Sequence, residues 1–192
     1  MASAFGAAAL LAALVLTRFG AGEHGTVIAL HLTARWSFLL FWLAYAGGGL
    51  AALLGPPLQP IKRHGREFGL AFAAAHLVHV GLIVWLCWIG AAPDASVFVF
   101  FSPPLACIYI LALFSIRPLR QALGRIGWPL LRSLAMTWIA YAFATDFLRI
   151  PPYGWVRYSI EYLPFAVLSV AGPVLHFSTV LPSLGRLRRS VS

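Results

Sequence analysis

The stretch EFGLAFAAAHLVHV, residues 67–80, sets His76 and His79 three positions apart in an otherwise apolar run. An ionisable group among lipid-compatible residues is costly and marks a functional candidate. Neutral imidazole carries a lone pair suited to haem iron, and an apolar surround tunes such an iron's potential. At helical spacing the two rings lie about 60° apart, on overlapping faces. Two axial ligands must reach one iron from opposite sides, so this pair cannot clamp a haem by itself. One ring can ligate while its neighbour hydrogen-bonds a propionate, a quinone or a carbonyl. The plainer alternative is that both hydrogen-bond across helices. His176, in GPVLHFS, is the candidate partner on another helix. Counting roughly 1.5 Å per residue from the basic ends puts His76 and His176 within about one turn of the same depth. His76 and His176 are thus the candidate metal ligands, with His79 third, as an alternative ligand or a supporting donor.

The elements that must position these rings are membrane helices. Hydrophobic residues make up 61% of the 192-residue chain and charged residues 10%, against about half and about a quarter in a soluble domain. The sequence therefore reads as an integral membrane protein, a single transmembrane domain over 1–192. A span needs about 20 apolar residues to cross about 30 Å of hydrocarbon. Six segments are candidates, 2–17, 27–54, 68–89, 97–116, 128–147 and 162–181, which predicts an all-α, six-helix transmembrane bundle. The first is short, but it lacks a basic leading stretch and a clear small-residue cleavage site, so it reads as a retained helix. Pro56, Pro57 and Pro60 break the chain after the second span. Pro103 and Pro104 fall inside the fourth and predict a kink or a delayed start. Cys87 and Cys107 fall at different depths of neighbouring spans, so buried thiols are expected and not a disulfide.

The formal charge of +9 does not point to nucleic acid, because the basic residues sit in short clusters between apolar segments without a reader motif. Lys62, Arg63 and Arg66, then Arg117, Arg120 and Arg125, then Arg186, Arg188 and Arg189 all fall on one side of a six-span topology. The opposite loops hold Arg18, Arg149 and Arg157, offset by Glu23, Asp94 and Glu161. An excess of Lys and Arg marks the cytoplasmic side, so both termini are expected there. Trp128, Trp155, Tyr158 and Tyr162 fall near span boundaries as aromatic anchors. His31 and Arg35, one turn apart near the outer side, read as snorkelling groups or as a headgroup or anion site. Arg132 and Asp146 stand roughly 20 Å apart along one helix, too far to pair. Arg132 is expected to snorkel at the inner boundary, and Asp146 to pair with Arg149. Phosphate loops, CxxC, HExxH and GxSxG are all missing from the sequence.

KRHGREFGLAFAAAHLVHV resembles the ferric-reductase-like transmembrane domain family, which includes the haem-binding membrane subunit of the periplasmic methionine sulfoxide reductase system. The matching features are Lys62-Arg63, Phe68-Gly69-Leu70, Phe72 and His76. TARWSFLLFWLAYAGG upstream and GRIGWPLLRSLAMTWIAYAF downstream resemble the family's flanking spans, so the likeness covers about residues 30–150. It implies transmembrane electron transfer through b-type haem in a bacterial inner membrane. A separate flavin or NAD(P)H donor, or a periplasmic oxidoreductase, would be the partner beside the lipid bilayer. Lys62, Arg63 and Arg66 would then steer an acidic donor or haem propionates, or simply set the topology. The departure lies in span five. Where the family has Leu-His this chain has Leu131-Arg132, and where a second histidine is expected it has Thr145-Asp146. Arginine offers no lone pair, so haem would need His76 or His79 paired with His176. The alternatives are a haem-less relative that binds a quinone, a lipid or a partner subunit, and a small transporter.

Overall fold

The computed structural model describes residues 1–149 and 161–189, with side chains as far as Ser178. Hydrocarbon leaves no solvent for backbone groups, and a helix satisfies them within one segment. The apolar stretches accordingly form α1 (Ala2–Phe19), α2 (Glu23–Leu54), α4 (Gly65–Trp88), α5 (Ala95–Phe114), α7 (Gly124–Phe147) and α8 (Leu163–Arg189). Between them lie two short helices, α3 (Gln59–Arg63) and α6 (Arg117–Ala122), and the described residues include no strand. Gly55, at φ 78°, ends α2 in a conformation that costs other residues, and Pro56 follows at once. Helices start up to four residues ahead of the expected spans, because polar flanks such as Glu23 and Gly65-Arg66 extend each helix beyond its apolar core.

Four helices, α1, α2, α4 and α5, are long and apolar enough to cross a membrane, as a helical membrane protein requires. The fifth expected span, α7, has the length but carries Arg125, Arg132 and Asp146, and the apolar described part of α8 runs over Leu163–Ser178. Pro103 and Pro104 do not delay α5, which starts at Ala95 and contains both. The Ser102 hydroxyl donates at 3.5 Å to Val99 O, the carbonyl that Pro103 cannot serve.

α2 is the hub, packing against α1, α4 and α8. Its register against α4 is antiparallel, since Thr33 meets His79, Phe41 meets Phe72 and Ala44 lies beside Gly69. α8 runs parallel to α2: Trp42 Nε1 donates to Leu168 O at 2.8 Å, and further along Tyr45 stacks on His176. α5 packs on α7. Between α2 and α7 an aromatic layer fills the space, with Phe38 4.9 Å from Phe147 and 5.1 Å from Phe143, and Phe41 5.5 Å from Phe143. Phe38, Phe41 and Ile139 are each 1% exposed, which locates the core in this layer.

Candidate functional site

His76 and His176 lie at two ends of a chain of ring contacts. His176 stacks on Tyr45 at 4.4 Å, Tyr45 on Phe41 at 5.4 Å, Phe41 meets Phe72 at 5.3 Å, and Phe72 meets His76 at 5.5 Å. His76 in turn stacks on His79 at 5.0 Å. The antiparallel register of α2 and α4 converts this into depth. Tyr45 is four residues beyond Phe41 in one direction, and His76 is four beyond Phe72 in the other. His176 is therefore about 12 Å from the level of His76, two turns and not one.

A haem held between these two histidines needs both ring edges to face one gap at one level. The imidazoles instead sit on different helices at levels about two turns apart, and Tyr45, Phe41 and Phe72 lie between them in a run of close ring contacts. The residues present do not fit that pairing, and His79 serves no better, since it lies a further turn from the level of His176 and its Nδ1 is 3.2 Å from Thr33 Oγ1. His176 is further engaged through Nδ1, 3.4 Å from Tyr45 O. Among the described residues no group of three His, Cys, Asp or Glu side chains is placed to hold a metal ion.

His79 is instead a tie between α4 and α2. Its Nδ1 lies 3.2 Å from Thr33 Oγ1, and the Thr33 hydroxyl donates to Ala29 O at 2.8 Å. The threonine proton being committed, the ring nitrogen donates and the Thr33 oxygen accepts. Thr26, Thr33 and Ser37, all 0% exposed, form one polar stripe on α2. Thr33→Val keeps the shape and removes this bond; it should cost about 0.6 kcal/mol and lower the thermal midpoint in detergent by about 2 °C. An unchanged midpoint would show the tie to be idle. The stripe was readable in the sequence as hydroxyls seven and four residues apart in an apolar run, and it was missed because hydroxyls pass as lipid-compatible.

At the end of the bundle where α8 begins, Arg35 does not snorkel. Its Nη2 pairs with Glu161 Oε2 at 3.5 Å, and its Cζ lies 5.2 Å from the Tyr162 ring and 5.6 Å from that of Phe165. An acid and two π-faces at the start of α8 hold the guanidinium inside the bundle. His31 meets the same Tyr162 edge-on at 6.5 Å. Asp146 does not form the expected pair with Arg149: among the described residues the one ion pair is Arg35–Glu161. Asp146 lies with Arg149, Thr145 and Ser96 along a groove, within electrostatic reach of His31, Arg149 and Arg35 though not at ion-pair distance from any of them. Cys87 and Cys107 are free thiols on separate helices. Arg157, Trp155 and Tyr158 lie outside the described residues, as do the side chains of Arg186, Arg188 and Arg189.

At the opposite end a cleft opens between α2, α4, α5 and α7. Its walls include Phe41, Leu70, Phe72, Ile108, Met136 and Ile139, and its cavity volume is about 120 Å³. Arg66 from the start of α4, Arg120 from α6 and Arg132 from α7 also line it, with Trp128 and Ser115. Arg66 Nη2 donates to Ser115 O at 2.9 Å, joining the start of α4 to the end of α5. The sequence places Arg132 at this boundary, Arg66 among charges that steer a donor or propionates or set the topology, and Arg120 only among topogenic charges. Nothing in their spacing reveals that three helix ends converge on one cleft.

No family model, no curated protein and no solved structure matches this chain.

Proposed function

We propose that the chain is a haem-less, amphiphile-binding membrane protein. It keeps a ferric-reductase-like scaffold of six spans, in a bacterial inner membrane, with both termini cytoplasmic. The alternating directions of α1, α2, α4, α5, α7 and α8 support the six-span topology, and the basic residues of α3, α4, α6 and α7 gathered at one end support the orientation. The observation that carries the function is the cleft. It lies between α4 and α7, the two spans whose histidines hold haem in the resembling family, and its lining contains no histidine. Apolar walls with a few polar groups at one end suit a lipid or quinone better than a polar solute.

A second reading, haem-mediated electron transfer from a separate donor, draws on one observation: His76 Nδ1 is buried without a hydrogen-bond partner. One preparation separates the two. Protein expressed with ample haem should be colourless on purification, and its organic extract should contain an amphiphile in amounts matching the protein. A dithionite-reducible band that disappears in His76→Ala and His176→Ala would overturn the haem-less reading.

A further inference from the structure

We infer that the ligand of the inner cleft is a net-anionic phospholipid, whose phosphate is held by Arg66, Arg120 and Arg132 without a cationic head group to compete for it. This rests on the amphiphile-binding reading and gives the amphiphile its chemical class. The three guanidiniums come from three different helices and line the same space. No acid shares it: Glu67 follows Arg66 in sequence but does not line the cleft. Within the described residues none of the three is in an ion pair, so their charge is uncompensated by protein. Arg66 commits one Nη2 donor to Ser115 O, and a guanidinium has further donors in a fork that matches phosphate oxygens. A neutral quinone head would leave the charge of three guanidiniums at the mouth of the cleft without an anionic partner. Trp128, in the same lining, is the residue type that settles at the headgroup level. The acyl chain then lies against Leu70, Phe72, Ile108 and Met136, below the arginines and toward the aromatic layer.

These arginines differ from the other basic residues at this end. Lys62, Arg63, Arg117 and Arg125 belong to the same helix ends and do not line the cleft, so they provide a charge-matched control. The test is native mass spectrometry of the purified full chain with added phosphatidylglycerol, phosphatidylcholine or palmitate. Phosphatidylglycerol should be retained in preference to phosphatidylcholine. Substituting Arg66→Gln, Arg120→Gln and Arg132→Gln together should weaken that retention about a hundredfold, and each alone about fivefold. The control set Arg63→Gln, Arg117→Gln and Arg125→Gln should leave it within about twofold, since in a neutral detergent there is no anionic leaflet for those charges to act on. Circular dichroism and gel filtration check folding, and the single variants carry the test if the triple one does not fold. Equal losses in both triple sets would overturn the inference in favour of diffuse surface attraction. Equal retention of phosphatidylcholine, or full competition by palmitate, would also overturn it while leaving the amphiphile-binding reading standing. Retention of none of the three lipids, with none in the extract, would remove both.

Discussion

Replacing Gly49 by leucine is expected to loosen α8 from α2 and to lower the thermal midpoint in detergent by about 10 °C, the shift that about 3 kcal/mol of overpacking gives in a chain of this size. A Cβ at this position would strike the backbone carbonyl of Leu175. A side chain could rotate away, but a helix backbone can only move as a whole. That movement is opposed on both sides, by the Trp42–Leu168 hydrogen bond of 2.8 Å and by the Tyr45–His176 stack. Lipid gives little apolar driving force between helices, so close approach through small residues is a main source of attraction, and it disappears once the backbones separate. Gly48, the preceding residue, is the control: a Cβ there meets nothing within 4 Å. Gly48→Leu should leave the midpoint unchanged or slightly raised, because leucine is the better helix former. If both leucine variants shift the midpoint equally, α2 and α8 are not in the contact described.

The contrast between these two glycines shows what the sequence could and could not reveal. Gly47-Gly48-Gly49 in an apolar helix signals close packing against some neighbour, and the apolar runs signal the helices themselves within a few residues. Which of the three glycines faces which neighbour depends on the rotation of α2, and helical periodicity cannot fix that when nearly every position is apolar. The histidines failed in the same way. Depth counted from helix ends puts His76 and His176 within about one turn of each other, which holds only if their two helices begin at a common level. The antiparallel register of α2 and α4 instead moves the two rings about two turns apart along the axis. Arg35 shows a third kind of failure. Its charge near a boundary suggested snorkelling, while its actual partner, Glu161, is more than a hundred residues away in sequence.

Phe41→Ala should be the most damaging of the single truncations, costing about 3–5 kcal/mol and lowering the midpoint by about 10–15 °C. Phe41 is 1% exposed and touches three other rings, Tyr45 at 5.4 Å, Phe72 at 5.3 Å and Phe143 at 5.5 Å. It therefore joins α2 to α4 and α7 at one point, where no backbone contact between α2 and α7 can compensate. Phe41→Leu keeps much of the volume and should recover more than half of the loss. Phe98→Ala, at a ring that is 43% exposed, should change stability by no more than about 0.5 kcal/mol. Because Phe41 also lines the arginine-edged cleft, the void left by alanine is continuous with the proposed lipid site. A lipid that binds there stabilises the folded chain by mass action, and in the Phe41→Ala protein its tail also gains the space the ring vacates. Added phosphatidylglycerol should consequently raise the midpoint of Phe41→Ala more than that of the unaltered protein. An equal rise in both would mean that the aromatic layer and the cleft are separate compartments. A midpoint of Phe41→Ala within about 2 °C of Phe98→Ala, well inside the span that the cavity cost predicts, would mean that the core does not lie in the ring layer at all.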